Sequence, residues 1–218
     1  MPDLLHIYQK LFSHYGTRGW WPAETPFEVV IGAILTQNTN WKNVEKAIAN
    51  LRQADALTGD AILNMELDIL EQLIRPSGFF RQKAERLQLF CRYLQGHHQG
   101  SLERLFDQEL NLVRDELLGL KGIGPETADS ILLYAGQHPS FVVDAYTNRL
   151  FGRLGILSGK EKYTEVRDFF MSRLPQDVQL YNEYHALIVA HCKDFCRKKP
   201  LCNNCPCPDI CLYKQQNC

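Results

Sequence analysis

The segment with the tightest hold on the fold is Leu120-Lys121-Gly122-Ile123-Gly124-Pro125. It lies between two stretches of helical periodicity, 110–119 and 125–135. Two glycines around one aliphatic residue allow a tight backbone turn that bulkier residues would strain. Pro125 then stands at a first helical position, where its missing N–H costs nothing. The pattern predicts a helical hairpin over about 111–135. The amides of such a turn point outward at a helix N-terminus and can bind a DNA phosphate, which makes Lys121, Gly122 and Gly124 candidate DNA contacts. An ordinary helical corner is the alternative that this segment alone leaves open.

The rest of the chain reads as helix after helix. Thr25-Pro26-Phe27-Glu28 has the form of a capping box, followed by Phe27, Val30, Ile31, Ile34 and Leu35 at helical spacing. Further helices are predicted at about 41–53, 59–64, 67–75, 80–95, 101–106, 145–153, 162–172 and 178–193. Strand-like alternation is absent except briefly at Phe141-Val142-Val143, so the fold class is all-α. No run of eighteen apolar residues predicts a membrane span, and no basic segment leads into an apolar stretch as in a secretory signal. The expectation is an intracellular, cytoplasmic protein. A net charge of −1 decides nothing about nucleic acid, since a local basic face can coexist with a neutral total.

Two constellations carry chemistry. Asp144 follows the apolar Phe141-Val142-Val143 and precedes a helix. It can cap that helix, or, ionised at the helix N-terminus, face a sugar cation or orient an attacking water. One carboxylate can serve both purposes. Separately, seven of eight cysteines fall between Cys192 and Cys218, unlike a disulfide framework spread along a small secreted chain. Cys196, Cys202, Cys205 and Cys211, separated by five, two and five residues, suit either a tetrahedral zinc or a [4Fe–4S] cluster. Arg197, Lys198 and Lys199 lie between the first two of these and could meet phosphates or be a solvated charge run.

The hairpin followed by Val142-Val143-Asp144 resembles the endonuclease III (helix-hairpin-helix) DNA glycosylase superfamily, from about Pro26 to Cys211. The resemblance implies two helical domains. One is a six-helix domain over 24–135 that includes the hairpin. The other joins 1–23 to 136–218 and carries the cluster loop 196–211. It also implies a catalytic Asp144, a [4Fe–4S] cluster rather than zinc, and a monomer acting on double-stranded DNA with a damaged base. The family's first cysteine gap is usually six residues, so Cys192 and Cys207 are possible substitute ligands.

Bifunctional members carry a lysine just after the turn, where this chain has Glu126, and a carboxylate cannot form a Schiff base. The resemblance therefore implies a monofunctional glycosylase. Trp20-Trp21-Pro22 with Leu35-Thr36-Gln37-Asn38-Thr39 is similar to the type III 3-methyladenine DNA glycosylase branch, which excises alkylated purines. On that likeness Trp20, Trp21 and Trp41, with Glu126, would line the base pocket, although adjacent tryptophans also simply fill cores. Gln37, Asn38 and Phe79 are candidates to fill the gap left by a flipped base, and Lys83 is a candidate phosphate contact. Mismatch thymine, uracil or adenine glycosylases, and a non-catalytic iron–sulfur DNA-binding protein, are the competing expectations.

Overall fold

The computed structural model describes residues 3–217, and every regular element among them is helical. In chain order these are α1 (Leu4–Tyr15), α2 (Pro26–Leu35), α3 (Trp41–Gln53), α4 (Gly59–Asn64), α5 (Leu67–Leu73), α6 (Phe80–His98) and α7 (Leu102–Phe106). There follow α8 (Leu110–Gly119), α9 (Pro125–Tyr134), α10 (Ala145–Arg153), α11 (Tyr163–Met171), α12 (Val178–Asp194) and α13 (Leu212–Asn217). Short 3₁₀ turns occupy Arg75–Ser77 and Cys202–Asn204. Among the described residues no helix is long and apolar enough to cross a membrane. The chain forms two compact units, one being Ala23–His138 and the other the segment up to Pro22 together with Pro139 onward.

The Ala23–His138 unit contains α2 to α9, eight helices rather than the six that the resemblance implied. The excess comes from short helices with their own caps. Thr58 accepts the Ala61 amide to start α4, and Ser101 accepts the Arg104 amide to start α7. At the centre runs α2, whose Glu28–Leu35 stretch is entirely buried against α3, α6 and α9. Its capping box is only half formed. Thr25 Oγ1 accepts the Glu28 amide at 3.1 Å, but the Glu28 carboxylate turns away to the Arg52 guanidinium, 2.9 Å from both of its oxygens. A guanidinium is a stronger donor to a carboxylate than a backbone amide is.

The hairpin helices α8 and α9 are held by an ion pair that no local pattern signals. Arg114 donates Nε and Nη2 to the two oxygens of Asp129 at 2.9 and 3.1 Å, and Asp129 is fully buried. Another polar knot ties α8 to α6, where Glu116 accepts from Tyr93 Oη at 2.6 Å and lies 2.8 Å from His98 Nε2.

In the other unit, α12 is flanked by α1 and α10. Its core is aromatic: Phe141 stacks on Phe170 at 4.2 Å between centroids, and Phe151 and Tyr184 meet Phe170 edge-on. Leu4, Ile7 and Leu11 bury one stripe of α1, and Tyr184 Oη donates to the Leu4 carbonyl at 2.8 Å. The Phe141–Val143 run is buried but pairs with no strand among the described residues; it is a core-filling connector that delivers the chain to Asp144.

Candidate active site

Asp144 is the N-cap of α10. Its Oδ1 accepts from the Thr147 amide at 2.7 Å and from Thr147 Oγ1 at 3.0 Å, while His185 Nε2 of α12 lies 3.5 Å from Oδ2. Burial alone would raise its pKa. The hydrogen bond and positive charge of His185 and the two Thr147 donors outweigh burial and hold the carboxyl below its usual value. The cap and the ionised carboxylate thus coexist, because capping uses one oxygen and leaves the other directed at His185. The preceding amide, Val143 N–H, donates to Tyr163 Oη at 3.4 Å. Sequence reasoning did not find His185 or Tyr163. His185 lies on the buried stripe of α12 beside Tyr181, Tyr184 and Ile188, where a histidine in apolar company was the available signal.

In the same unit Trp20 and Trp21 are both half-buried, their rings edge-on with centroids 6.3 Å apart. The Lys193 ammonium lies over the Trp20 face, 5.9 Å from its centroid.

Cys196, Cys202, Cys205 and Cys211 line one cavity, and Cys207 joins them. Cys192 does not; its sulfur lies 3.5 Å from the Tyr146 carbonyl oxygen, and its thiol proton goes to Cys196. Arg153, the last residue of α10, donates to Cys196 Sγ at 3.3 Å and to the carbonyls of Arg197 and Lys198 at 2.6 and 3.0 Å. A hydrogen bond from Cys192, against burial and with help from Arg153, draws the Cys196 thiol down to about 6. A hydrogen bond from Cys207, again against burial and with help from His191, draws Cys205 down to about 4. Burial raises the Cys211 thiol, so the fit to a thiolate-bound metal group rests on the sulfurs that share this one cavity and not on their ionisation. Among the described residues no three His, Cys, Asp or Glu side chains converge as a finished ligand set.

The Ala23–His138 unit carries the remaining candidates. In the hairpin turn Gly122 has φ +91, and a Cβ there would run into the Arg86 guanidinium. Gly124 differs from expectation: its φ is −91 and nothing lies within 4 Å of where a Cβ would sit, so only Gly122 needs glycine on steric grounds. Gly124 is nonetheless the N-cap of α9 and supplies no side chain to its first-turn amides. Lys121 and Glu126 are exposed at the same end of the hairpin. Trp41, half-buried, opens α3.

Gln37 is brought to the hairpin. Its Nε2 donates to the Gly122 carbonyl and to Thr127 Oγ1, both at 2.9 Å, and its Oε1 accepts from Arg86 Nη1. Asn38 is exposed with φ 54, and Phe79 is 63% exposed with φ 47, both in the left-handed region. Lys83 is placed otherwise than expected. It is fully buried, and its ammonium donates to the carbonyls of Leu35 at 2.8 Å and Ser77 at 2.7 Å, so it faces no phosphate. Burial, and next the charge of Arg86, bring it down to about 8. The signal was present in the sequence, since Lys83 shares the buried stripe of α6 with Ala84, Leu87, Phe90, Cys91 and Leu94.

An all-helical scaffold with a glycine-turned hairpin and a hydrogen-bonded aspartate at a helix N-terminus defines a class of base-excision repair protein. Residues 31–176 match the family model described as the HhH-GPD superfamily base excision DNA repair protein, and the chain belongs to that superfamily as a DNA glycosylase. It is 53% identical over 210 residues, 95% of each chain, to a protein of Methanocaldococcus jannaschii provisionally named a DNA repair glycosylase. An endonuclease III of Sulfolobus acidocaldarius is 30% identical over 193 residues, covering 88% of this chain and 83% of that one. The crystal structure of the H. pylori 3-methyladenine DNA glycosylase bound to 1,N6-ethenoadenine superposes with a TM-score of 0.78 at 33% identity, over 88% of this chain and 98% of that one.

Proposed function

We propose that this glycosylase is monofunctional and removes alkylated purines such as 3-methyladenine from double-stranded DNA, leaving an abasic site. The observation that carries the reading is Glu126, exposed in the first turn of α9. A lyase needs an amine there to form a Schiff base with the sugar, and a carboxylate cannot supply one. Asp144 then acts on a hydrolytic path. Its ionised carboxylate faces the positive charge that grows on the sugar as the C1′–N bond breaks, orients the water whose oxygen bonds to C1′, and accepts the proton which that water loses. The base leaves with the electron pair of the broken bond.

The likeness to the H. pylori enzyme supports an alkylpurine substrate. Trp20, Trp21 and Trp41 would offer aromatic faces to a flipped, electron-poor base. Asn38 and Phe79, exposed at turns, would fill the vacated stack, while Gln37 braces the hairpin behind them. Lys121 and the amides of Gly122 and Gly124 would bind a phosphate. The thiolates of Cys196, Cys202, Cys205 and Cys211 would hold a [4Fe–4S] cluster, with Cys207 rather than Cys192 as the spare donor. That cluster, when bound, stiffens the loop bearing Arg197, Lys198 and Lys199. The protein acts as a monomer.

The test is base release from duplex DNA treated with a methylating agent, with and without later alkaline cleavage. Release of 3-methyladenine with strand breaks only after alkali supports the proposal. Breaks without alkali overturn the monofunctional reading, and no release moves the substrate to mismatched or oxidised bases.

A further inference from the structure

Lys83 is the one candidate whose surroundings differ wholly from its expected role. Its Nζ donates to the carbonyl of Leu35, the last residue of α2, and to that of Ser77, two residues before Phe79. Its own backbone amide donates to the Phe79 carbonyl at 3.1 Å, starting α6. One residue therefore brackets the Phe79 turn on both sides and also grips the point where the chain leaves α2 toward Gln37 and Asn38. Carbonyls at a helix end need an outside donor, and here a buried cation supplies it.

A methionine would fill the same space without removing a charge from water, so the ammonium contributes through the two carbonyls it holds. One turn along α6, Arg86 binds Gln37 and lies against Gly122. The same helix face thus holds the Gln37–Asn38 turn, the Phe79 turn and the hairpin in one register. Both wedge turns use the left-handed region, which is costly for a phenylalanine and persists only where the surroundings enforce it.

We infer that Lys83 is a positioning residue for base extrusion: its buried ammonium sets the spacing between the Asn38 and Phe79 turns so that both enter the DNA stack together. The inference rests on reading those turns as the ones that fill the gap. Its consequence is a split between binding and flipping. Phosphate contacts supply duplex affinity and do not depend on Lys83, whereas insertion requires two side chains in fixed register.

The experiment uses the full chain and a duplex carrying 2-aminopurine beside a tetrahydrofuran abasic-site analogue, with unstacking followed by stopped-flow fluorescence. Lys83→Met is expected to bind undamaged duplex within about twofold of wild type, yet to unstack the probe roughly ten- to a hundredfold more slowly. Phe79→Ala should slow the same signal, and in that background Lys83→Met should add about threefold or less, because with one of the two wedges gone there is no spacing left to set. If Phe79→Ala is slow while Lys83→Met unstacks at the wild-type rate, Lys83 does not position the wedge and the inference fails. If Phe79→Ala is itself normal, the reading of Phe79 as a wedge fails instead. Should Lys83→Met not fold, Lys83→Gln, which keeps an N–H donor on a shorter arm, carries the same cycle with an intermediate loss. A normal unstacking rate in Lys83→Gln, with Phe79→Ala slow, would equally overturn the inference.

Discussion

Replacing Asp144 in two ways separates its structural work from its chemical work. In Asp144→Asn an amide oxygen still accepts from the Thr147 amide, now 2.7 Å from Oδ1, and from Thr147 Oγ1 at 3.0 Å. Asparagine is as good an N-cap as aspartate, so the stability lost is that of the negative charge, set at a helix N-terminus and beside His185, about 0.3–1 kcal/mol. Asp144→Ala removes the cap as well and costs about 1–2 kcal/mol. For a chain of this size those losses lower Tm by about 1–4 °C and 2–8 °C respectively. If the carboxylate acts on the sugar or the water, both variants lose about 10²–10⁴ in single-turnover base release. A hundredfold loss corresponds to about 2.7 kcal/mol of barrier, more than either stability change and far more than a slightly enlarged unfolded fraction could produce. Thermal denaturation and single-turnover kinetics on one methylated duplex give both readouts. An Asp144→Asn protein that keeps most of the wild-type rate while Asp144→Ala loses it would show that the residue is a cap and nothing more.

The depressed pKa of Asp144 adds a pH prediction: its ionised form persists below the usual 3.8, so an acid limb in the single-turnover rate centred above about pH 5 would contradict its assignment. The same depression means its stabilising contribution is complete above the unfolded value and is lost only as pH falls through the lower folded one. Arg114→Leu removes the guanidinium paired with the buried Asp129 carboxylate in the hairpin and should cost about 3–5 kcal/mol, read by urea denaturation; a cost under about 1 kcal/mol would mean the pair does not hold the hairpin. Gly122→Ala must move Arg86 and adopt φ +91, so duplex affinity should fall several-fold in a titration at fixed salt, whereas Gly124→Ala should bind as wild type if only Gly122 needs its glycine. A Cys205→Ser, Cys207→Ser double variant should lower iron per chain and visible absorbance in anaerobically purified protein, and unchanged metal content would remove Cys205 from the ligand set.

The hairpin was legible because its determinants are local: a turn, two glycines and a proline within six residues. The helices of Ala23–His138 were legible for the same reason, since each periodic stretch stands between its own breakers. The first helix was missed although Asp3 ahead of Leu4, Ile7 and Leu11 at helical spacing was a signal for it. Pairings that depend on how helices register against each other were not legible at all. Arg114 meets Asp129 across fifteen residues, and His185 reaches Asp144 across forty-one. Lys83 misled for a different reason: a lysine one turn after an exposed phenylalanine reads as a surface charge unless its place on the apolar stripe of α6 is weighed first.

The helix α10 has nine residues, so it is a rod about 13 Å long. One tip is Asp144 and the other is Arg153, which clasps Cys196 and the carbonyls of the basic loop. The stretch between them is anchored again by Arg149, whose Nε donates to the Cys196 carbonyl at 2.7 Å. Damage to the cysteine loop therefore has a mechanical route to the aspartate without any electron changing hands. Two preparations of this protein that differ only in how well that loop is held would differ in how steadily Asp144 is aimed.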